Sequence, residues 1–362
     1  MSEELLHGAS SFCLTTDQVS LAVTGVGGHM TAEFNLGGRK VSPYARASWF
    51  PDEIDDEMPV LLRNLRGDFF CLPFGPQGNG PPHGETANGE WTCEESPAHE
   101  LRLSMETGDS GCRVVKSIET REGHAALYIQ NTVTGLSGDW SYGSHPILDF
   151  SKMPEGEGRV STSAFRWGST YHGVFADPVN KEYQSLCSGA LFDTLEKVPM
   201  IDGGSADLTR YPARQGFEDL VMLVNDQGEA PFSWTACVLD GYVWFSLKKA
   251  RDFPATLFWI SNGGRHSEPW NGRHLKRLGL EEVCSYFCDE VEVSRRDLLA
   301  SEGIPTTRVF DGSPVSLKLI HGAALVPGDF DIVSEILPGE GWVELVSQSG
   351  VRVKVPLKWE FL

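Results

Sequence analysis

Two histidines and a glutamate, remote from one another in the chain, carry the residue types that could do acid/base chemistry. His83 lies in Pro82-His83-Gly84, His145 in Gly143-Ser144-His145-Pro146, and Glu281 in Leu278-Gly279-Leu280-Glu281-Glu282. Opening and reclosing a sugar hemiacetal needs one group to take the anomeric hydroxyl proton while another gives a proton to the ring oxygen. A glutamate and a histidine can do this without a metal. Pro146 fixes its own φ and restricts the backbone of His145, which would hold the imidazole in one direction. A glutamate preceded by Gly-Leu, with an apolar stretch beyond Glu282, is expected to be partly desolvated, raising its pKa toward useful proton exchange. Strand alternation sends Glu281 and Glu282 to opposite faces, so only one can enter a common pocket.

Arg66, in Arg66-Gly67-Asp68, has a guanidinium fork suited to hydroxyl pairs, although it could also form a surface pair with Asp68. Asp240-Gly241, between two strand candidates, is a strong hairpin-turn signal. Trp270, after Pro269, is the aromatic side chain best placed along the sequence to stack on a pyranose; Trp167 and Tyr171 are weaker candidates, since strand aromatics are more often core. Cys284 and Cys288 lack a second Cys/His pair, and the eight scattered cysteines read as free thiols. Gly25, Gly27, Gly28 and His29 have the wrong spacing for a dinucleotide loop. The sequence also has no Gly-x-Ser-x-Gly, His-Glu-x-x-His or P-loop motif.

The elements that must position these residues read as strands. The 39 glycines and 21 prolines break the sequence into short runs in which apolar residues alternate. Val351, Val353, Val355, Leu357, Trp359 and Phe361 share one face against Arg352, Lys354, Lys358 and Glu360, and Pro356 marks an edge or bulge. Residues 126–133, 220–224, 242–247 and 256–260 are further strands, rich in β-branched and aromatic residues. Asp311-Gly312-Ser313-Pro314 and Pro327-Gly328-Asp329 supply turns. One short helix is expected after Ser294, with Asp297 at the capping-box position and Gly303 at its end. With no repeat and no long polar linker, the expectation is an all-β, large antiparallel β-sandwich forming one domain over 1–362.

The formal charge of −20 would repel a phosphate backbone, and no Lys/Arg-rich run offsets it, so nucleic acid is not an expected partner. A neutral small-molecule sugar is indifferent to that field. No run of 18 apolar residues suggests a membrane span, and Met1 to Ser11 lack the features of a secretory signal, so a cytoplasmic location is the expectation.

The order of the three stretches, with their Gly and Pro neighbours, resembles the aldose 1-epimerase (galactose mutarotase-like) superfamily. The segment Arg66-Gly67, Leu72-Pro73-Phe74-Gly75-Pro76, Pro82-His83-Gly84 looks like the hexose-6-phosphate 1-epimerase-like branch, yet Ala87 stands where phosphate-specific relatives usually carry an arginine. Tyr142-Gly143-Ser144-His145-Pro146 after Asn131, and Gly279-Leu280-Glu281, are similar to the segments holding the family's general acid and general base. The Val23 to Tyr44 region resembles the opening strands. The resemblance implies Glu281 as base, His145 as acid, His83 near the ring oxygen, sugar contacts from Arg66, Asp240 and Trp270, a β-supersandwich fold, and no cofactor. A sugar-binding protein without catalysis, or a lyase or hydrolase on the same sandwich, are the alternatives. Hydrolysis would call for a second carboxyl, such as Asp240, about 5–10 Å from Glu281.

Overall fold

The computed structural model describes residues 2–55, 57–108, 110–226 and 228–362. Two large antiparallel sheets form its centre. The nine-stranded sheet runs Arg210–Tyr211, Gly158–Thr162, Ser233–Leu239, Tyr242–Lys248, Val315–Leu325, Ala126–Thr134, Arg113–Glu119, Glu100–Glu106, Thr92–Cys93. The eight-stranded sheet runs Leu191–Phe192, Phe165–Thr170, Phe217–Asn225, Ala255–Asn262, Arg277–Cys284, Tyr142–Ser144, Phe70–Cys71, with Ile147–Asp149 also pairing on Arg277–Cys284. All four strands expected in the interior of the sequence form, each slightly longer than its pattern.

Side-chain alternation assigns each sheet two buried faces. In the nine-stranded sheet Leu127, Ile129, Trp244, Leu317 and Leu319 enter the core between the sheets. Their neighbours Ala126, Tyr128, Val243, Phe245 and Ile320 face a three-stranded C-terminal sheet, which covers them with Val343, Leu345, Val355 and Leu357. In the eight-stranded sheet Val221, Leu223, Phe258, Leu278 and Leu280 face inward. Leu220, Met222, Leu257, Trp259 and Val283 face outward, beneath Trp49, Leu61, Leu65, Phe69 and Phe74. A strand buried on both faces has no need of apolar/polar alternation, so these central segments carry apolar residues on both sides, unlike the alternating pattern expected of the chain.

Between the sheets lies a buried ion pair. Glu282 points inward to Lys248 of the opposite sheet; both side chains have 0% exposure. The Thr235 hydroxyl donates to its carboxylate at 2.9 Å and that of Thr256 at 2.8 Å.

Two local expectations change. The C-terminal strand spans Arg352–Pro356, and its last apolar residues continue as a 3-10 turn, Trp359–Phe361. It is an edge strand, as Pro356 implied. The helix expected from Ser294 to Gly303 is replaced by one α turn, Val291–Ser294, and a 3-10 turn, Ala300–Glu302. Ser294 ends the first turn, its hydroxyl accepting from Tyr286 N at 3.0 Å, and Asp297 has φ 50°, which interrupts a helix. Gly303 does end the second turn, at φ 70°. Among the described residues no helix is long and apolar enough to cross a membrane.

Candidate active site

Glu281 and His145 meet on the outer face of the eight-stranded sheet. Tyr142–Ser144 pairs with Arg277–Cys284 so that Ser144 lies opposite Glu282. His145 follows directly, its N–H donating to Phe69 O at 3.0 Å, while Leu280 N donates to Pro146 O at 2.9 Å. These bonds bring His145 Nε2 to 3.2 Å from Glu281 Oε1, with side chains 7% and 3% exposed. Gly279 precedes Glu281 by two and so shares its face. A Cβ at Gly279 would lie 2.7 Å from Glu281 Oε1 and 3.0 Å from Trp259 Cβ. The glycine of the Gly-Leu-Glu segment thus leaves the space into which the carboxylate folds.

His83 arrives from a loop whose backbone is tightly specified. Its φ is 63°, and Gly84 follows at 74°. A Cβ at Gly84 would sit 1.9 Å from Leu72 O, so only glycine fits. His83 N donates to Gly75 O at 2.7 Å, and Gly75 N donates to His83 Nδ1 at 3.3 Å. Nδ1 is therefore an acceptor, and the neutral ring carries its proton on Nε2. The His83 and His145 rings are perpendicular with centroids 5.1 Å apart. His145 stacks on Phe69 at 4.6 Å, and Phe69 stacks in turn on the buried His29 at 4.3 Å.

Burial governs the protonation of the trio. It pushes the Glu281 carboxyl up to about 8, against the opposing pull of Arg265. It pushes His145 well below the ordinary imidazole value, with the neighbouring His83 adding to the effect, and takes His83 down to about 4. Both directions favour a neutral carboxylic acid beside a neutral imidazole, one proton shared by the Glu281–His145 pair. His145 Nδ1 is buried and meets no hydrogen-bond partner among the described residues.

The pair opens into a cavity of about 420 Å³ lined also by His83, Arg265, Trp270, Trp259 and Phe69. That volume lies in the range of small-molecule sites. Trp270 is on the wall as expected, edge-on to Trp49 at 4.9 Å and to Trp259 at 5.9 Å. Tyr171 is on it too, while Trp167 packs into the apolar cluster beside it. Cys288 contributes a free thiol to the wall, and Cys284 is a buried free thiol.

Two expected sugar contacts lie elsewhere. Arg66 is 6% exposed and its guanidinium is used by backbone, donating to Leu6 O at 3.0 Å, His7 O at 3.3 Å and Asn64 O at 3.1 Å. It fastens the hairpin formed by Ser2–Leu6 and Ala9–Thr15, and it does not line the cavity. Asp240 sits at the tip of the hairpin joining Ser233–Leu239 to Tyr242–Lys248, in the other sheet, paired with Arg39 at 2.9 Å. Its turn chemistry prevailed.

Arg265, conversely, is a cavity residue that sequence reasoning missed. Its guanidinium lies 5.0 Å from the Trp270 ring, 5.3 Å from Phe175 and 5.7 Å from Trp259. Its Nε is 3.8 Å from Glu182 Oε1. The available signal was Gly263-Gly264 before it, a break in the chain directly after a strand, where functional loops concentrate. Behind the wall, buried Glu218 accepts from Trp259 Nε1 at 3.0 Å and Ser261 Oγ at 2.8 Å, and burial raises its carboxyl to about 7. Asp289 accepts from Tyr171 Oη at 2.6 Å, and its other oxygen lies 2.6 Å from His172 Nε2.

The architecture is that of the galactose mutarotase-like β-sandwich. A provisionally assigned aldose 1-epimerase from Escherichia coli K12 superposes with a TM-score of 0.58 at 15% identity, covering 88% of this chain and 100% of its own. A provisionally assigned aldose 1-epimerase from Klebsiella pneumoniae gives 0.60 at 12% identity, covering 89% and 83%. A galactose mutarotase-like protein from Clostridium acetobutylicum gives 0.57 at 10%, covering 90% and 98%. No protein-family sequence model and no curated protein matches the chain by sequence. The chain shares the fold of the aldose 1-epimerase/galactose mutarotase-like superfamily.

Proposed function

We propose that the protein is an aldose 1-epimerase that interconverts the α and β anomers of a sugar in the cavity on the outer face of the eight-stranded sheet. The observation that carries this reading is the 3.2 Å contact between His145 Nε2 and Glu281 Oε1 inside that cavity. In a cyclic aldose the anomeric hydroxyl and the ring oxygen are bonded to the same carbon. The base for one and the acid for the other must therefore be neighbours.

Moving the shared proton within the pair makes a Glu281 carboxylate beside a His145 imidazolium without changing the total charge. Glu281 then takes the C1 hydroxyl proton as His145 protonates O5, and the C1–O5 bond breaks to leave an open-chain aldehyde. The Nε2 proton of His83 is available to polarise the same ring oxygen. Rotation about C1–C2 presents the other carbonyl face, and the two transfers run in reverse to close the opposite anomer. Each positioned transfer contributes about 100- to 10,000-fold. Glu281 is the carboxylate among the described cavity residues, with Asp240 outside, so the second carboxyl that glycoside hydrolysis usually requires is missing from the wall.

Saturation-transfer NMR between anomer resonances, across a panel of free and phosphorylated aldoses, tests the reading. Exchange faster than the buffer rate for at least one sugar is expected. Exchange at the buffer rate throughout, with a sugar bound, would leave a carbohydrate-binding protein instead.

A further inference from the structure

We infer that the sugar accepted by this cavity is apolar at its exocyclic position, with a 6-deoxyhexose as the simplest member of the class. This rests on the epimerase reading for its orientation, with the anomeric centre at Glu281 and His145. The argument is a count of hydrogen-bonding groups left free for the rest of the sugar. The Trp259 indole N–H is already donated to Glu218, and the Tyr171 hydroxyl to Asp289. Arg265 is the charged side chain remaining on the wall beyond the proposed acid/base residues, and the Trp270 indole, 5.0 Å from its guanidinium, adds one N–H donor at the same place, so the donors left for the sugar are gathered on one side of the cavity. Much of the rest is aliphatic: Pro59, Leu61, Leu62 and Leu65 from one segment, and Val174 and Leu220 from others. A hydroxymethyl group turned toward such a surface gives up water and gains no partner, whereas a methyl group gains by the same burial.

Neither position that could read a 6-phosphate in related sites supplies a cation to the wall. Arg66 is tied to three backbone carbonyls, and Ala87 is a fully buried alanine. Arg265, set among three aromatic rings and near Glu182, is left to engage ring hydroxyls.

Matched pairs isolate the position: D-galactose against 6-deoxy-D-galactose, and D-glucose against 6-deoxy-D-glucose, with D-glucose 6-phosphate alongside. Each is measured by anomer exchange and by calorimetric binding to the wild-type protein. The deoxy member is expected to lead its partner by about tenfold or more in kcat/KM and in Kd in at least one pair, the scale of one unpaired buried hydroxyl. Equal or weaker behaviour of both deoxy sugars, tightest binding of the phosphate, or no binding by any sugar overturns the inference. Deoxy-selective binding without exchange would sustain it while removing the epimerase reading; unselective exchange would do the reverse. Leu62→Gln, at a half-buried wall position, should bring the ratio toward one. An unchanged ratio in that folded variant would also overturn the assignment to this wall.

Discussion

Glu281 and Glu282 are the same residue type at adjacent positions of one strand, and the structure gives them opposite environments. Glu282 faces the core between the sheets, where Lys248 and two threonine hydroxyls engage its carboxylate. Glu281 faces the cavity, where its near contact is a neutral imidazole and burial lifts its carboxyl to about 8. A buried carboxylate supplied with a cation and donors is a structural tie. One left short of them keeps a mobile proton. The difference lies in strand parity, which turns one side chain toward a lysine and the next toward an opening.

The variant that divides the two most sharply is Glu281→Gln, which keeps the shape and removes the proposed base. Anomer exchange should fall about 100- to 10,000-fold, with the unfolding midpoint retained or raised because a titratable group leaves a buried site. Saturation-transfer NMR and thermal unfolding read the two sides, and full activity in the folded variant would end the role assigned to Glu281. Lys248→Met should do the opposite. Leaving Glu282 buried without its cation should cost about 3–5 kcal/mol in urea unfolding, and Lys248→Met with Glu282→Leu should recover much of it. Exchange per folded molecule should stay close to wild type in both; a loss matching that of Glu281→Gln would erase the distinction between the faces.

Proton inventory sharpens the comparison further. If the Glu281–His145 pair works with one shared proton, kcat/KM should be level near neutrality and fall about tenfold per pH unit above about 8, where the Glu281 proton leaves. A carboxylate acting alone as base would give a rate that rises through the same window, so the sign of the slope decides. Gly279→Ala is a smaller perturbation. Its methyl would press on Glu281 Oε1 and on Trp259 Cβ, and we expect a drop of roughly tenfold in kcat with the fold intact, since misplacement by about 1 Å can cost up to a hundredfold. Activity equal to wild type would show that the carboxylate is free to move aside.

Much of this contrast was legible before the structure. Alternating runs rich in β-branched and aromatic residues announced the strands, and the family resemblance of the Gly- and Pro-flanked segments singled out His83, His145 and Glu281, which the fold brings onto one cavity wall. Parity alone said that Glu281 and Glu282 part company, but not which of them meets the lysine, since Lys248 is 34 residues away and in the other sheet. Arg265 was missed for a related reason: Gly263-Gly264 marks a loop after a strand, but not that its arginine meets Phe175, Trp259 and Trp270, which come from three places in the chain. The short helix failed because Ser294 and Asp297 carry a cap signal whose side chain and backbone are committed to the loop around Tyr286 instead.

Asp240 gives the smallest expected effect and a demanding control, because motif similarity and geometry disagree about it. The resemblance implies a sugar ligand. The structure puts its side chain at 67% exposure on a hairpin tip of the other sheet, paired with an Arg39 side chain that is itself 43% exposed. Exposed pairs of this kind contribute about 0–1 kcal/mol, and a site remote from the cavity with no shared partner should act independently of it. Asp240→Ala should therefore leave KM and kcat within about twofold of wild type, while shifting stability by no more than the pair is worth. A large rise in KM with stability unchanged would mean that sugar binds at the hairpin end of the sandwich. The outer-face cavity, and with it the contrast between Glu281 and Glu282 as base and tie, would then have to be abandoned.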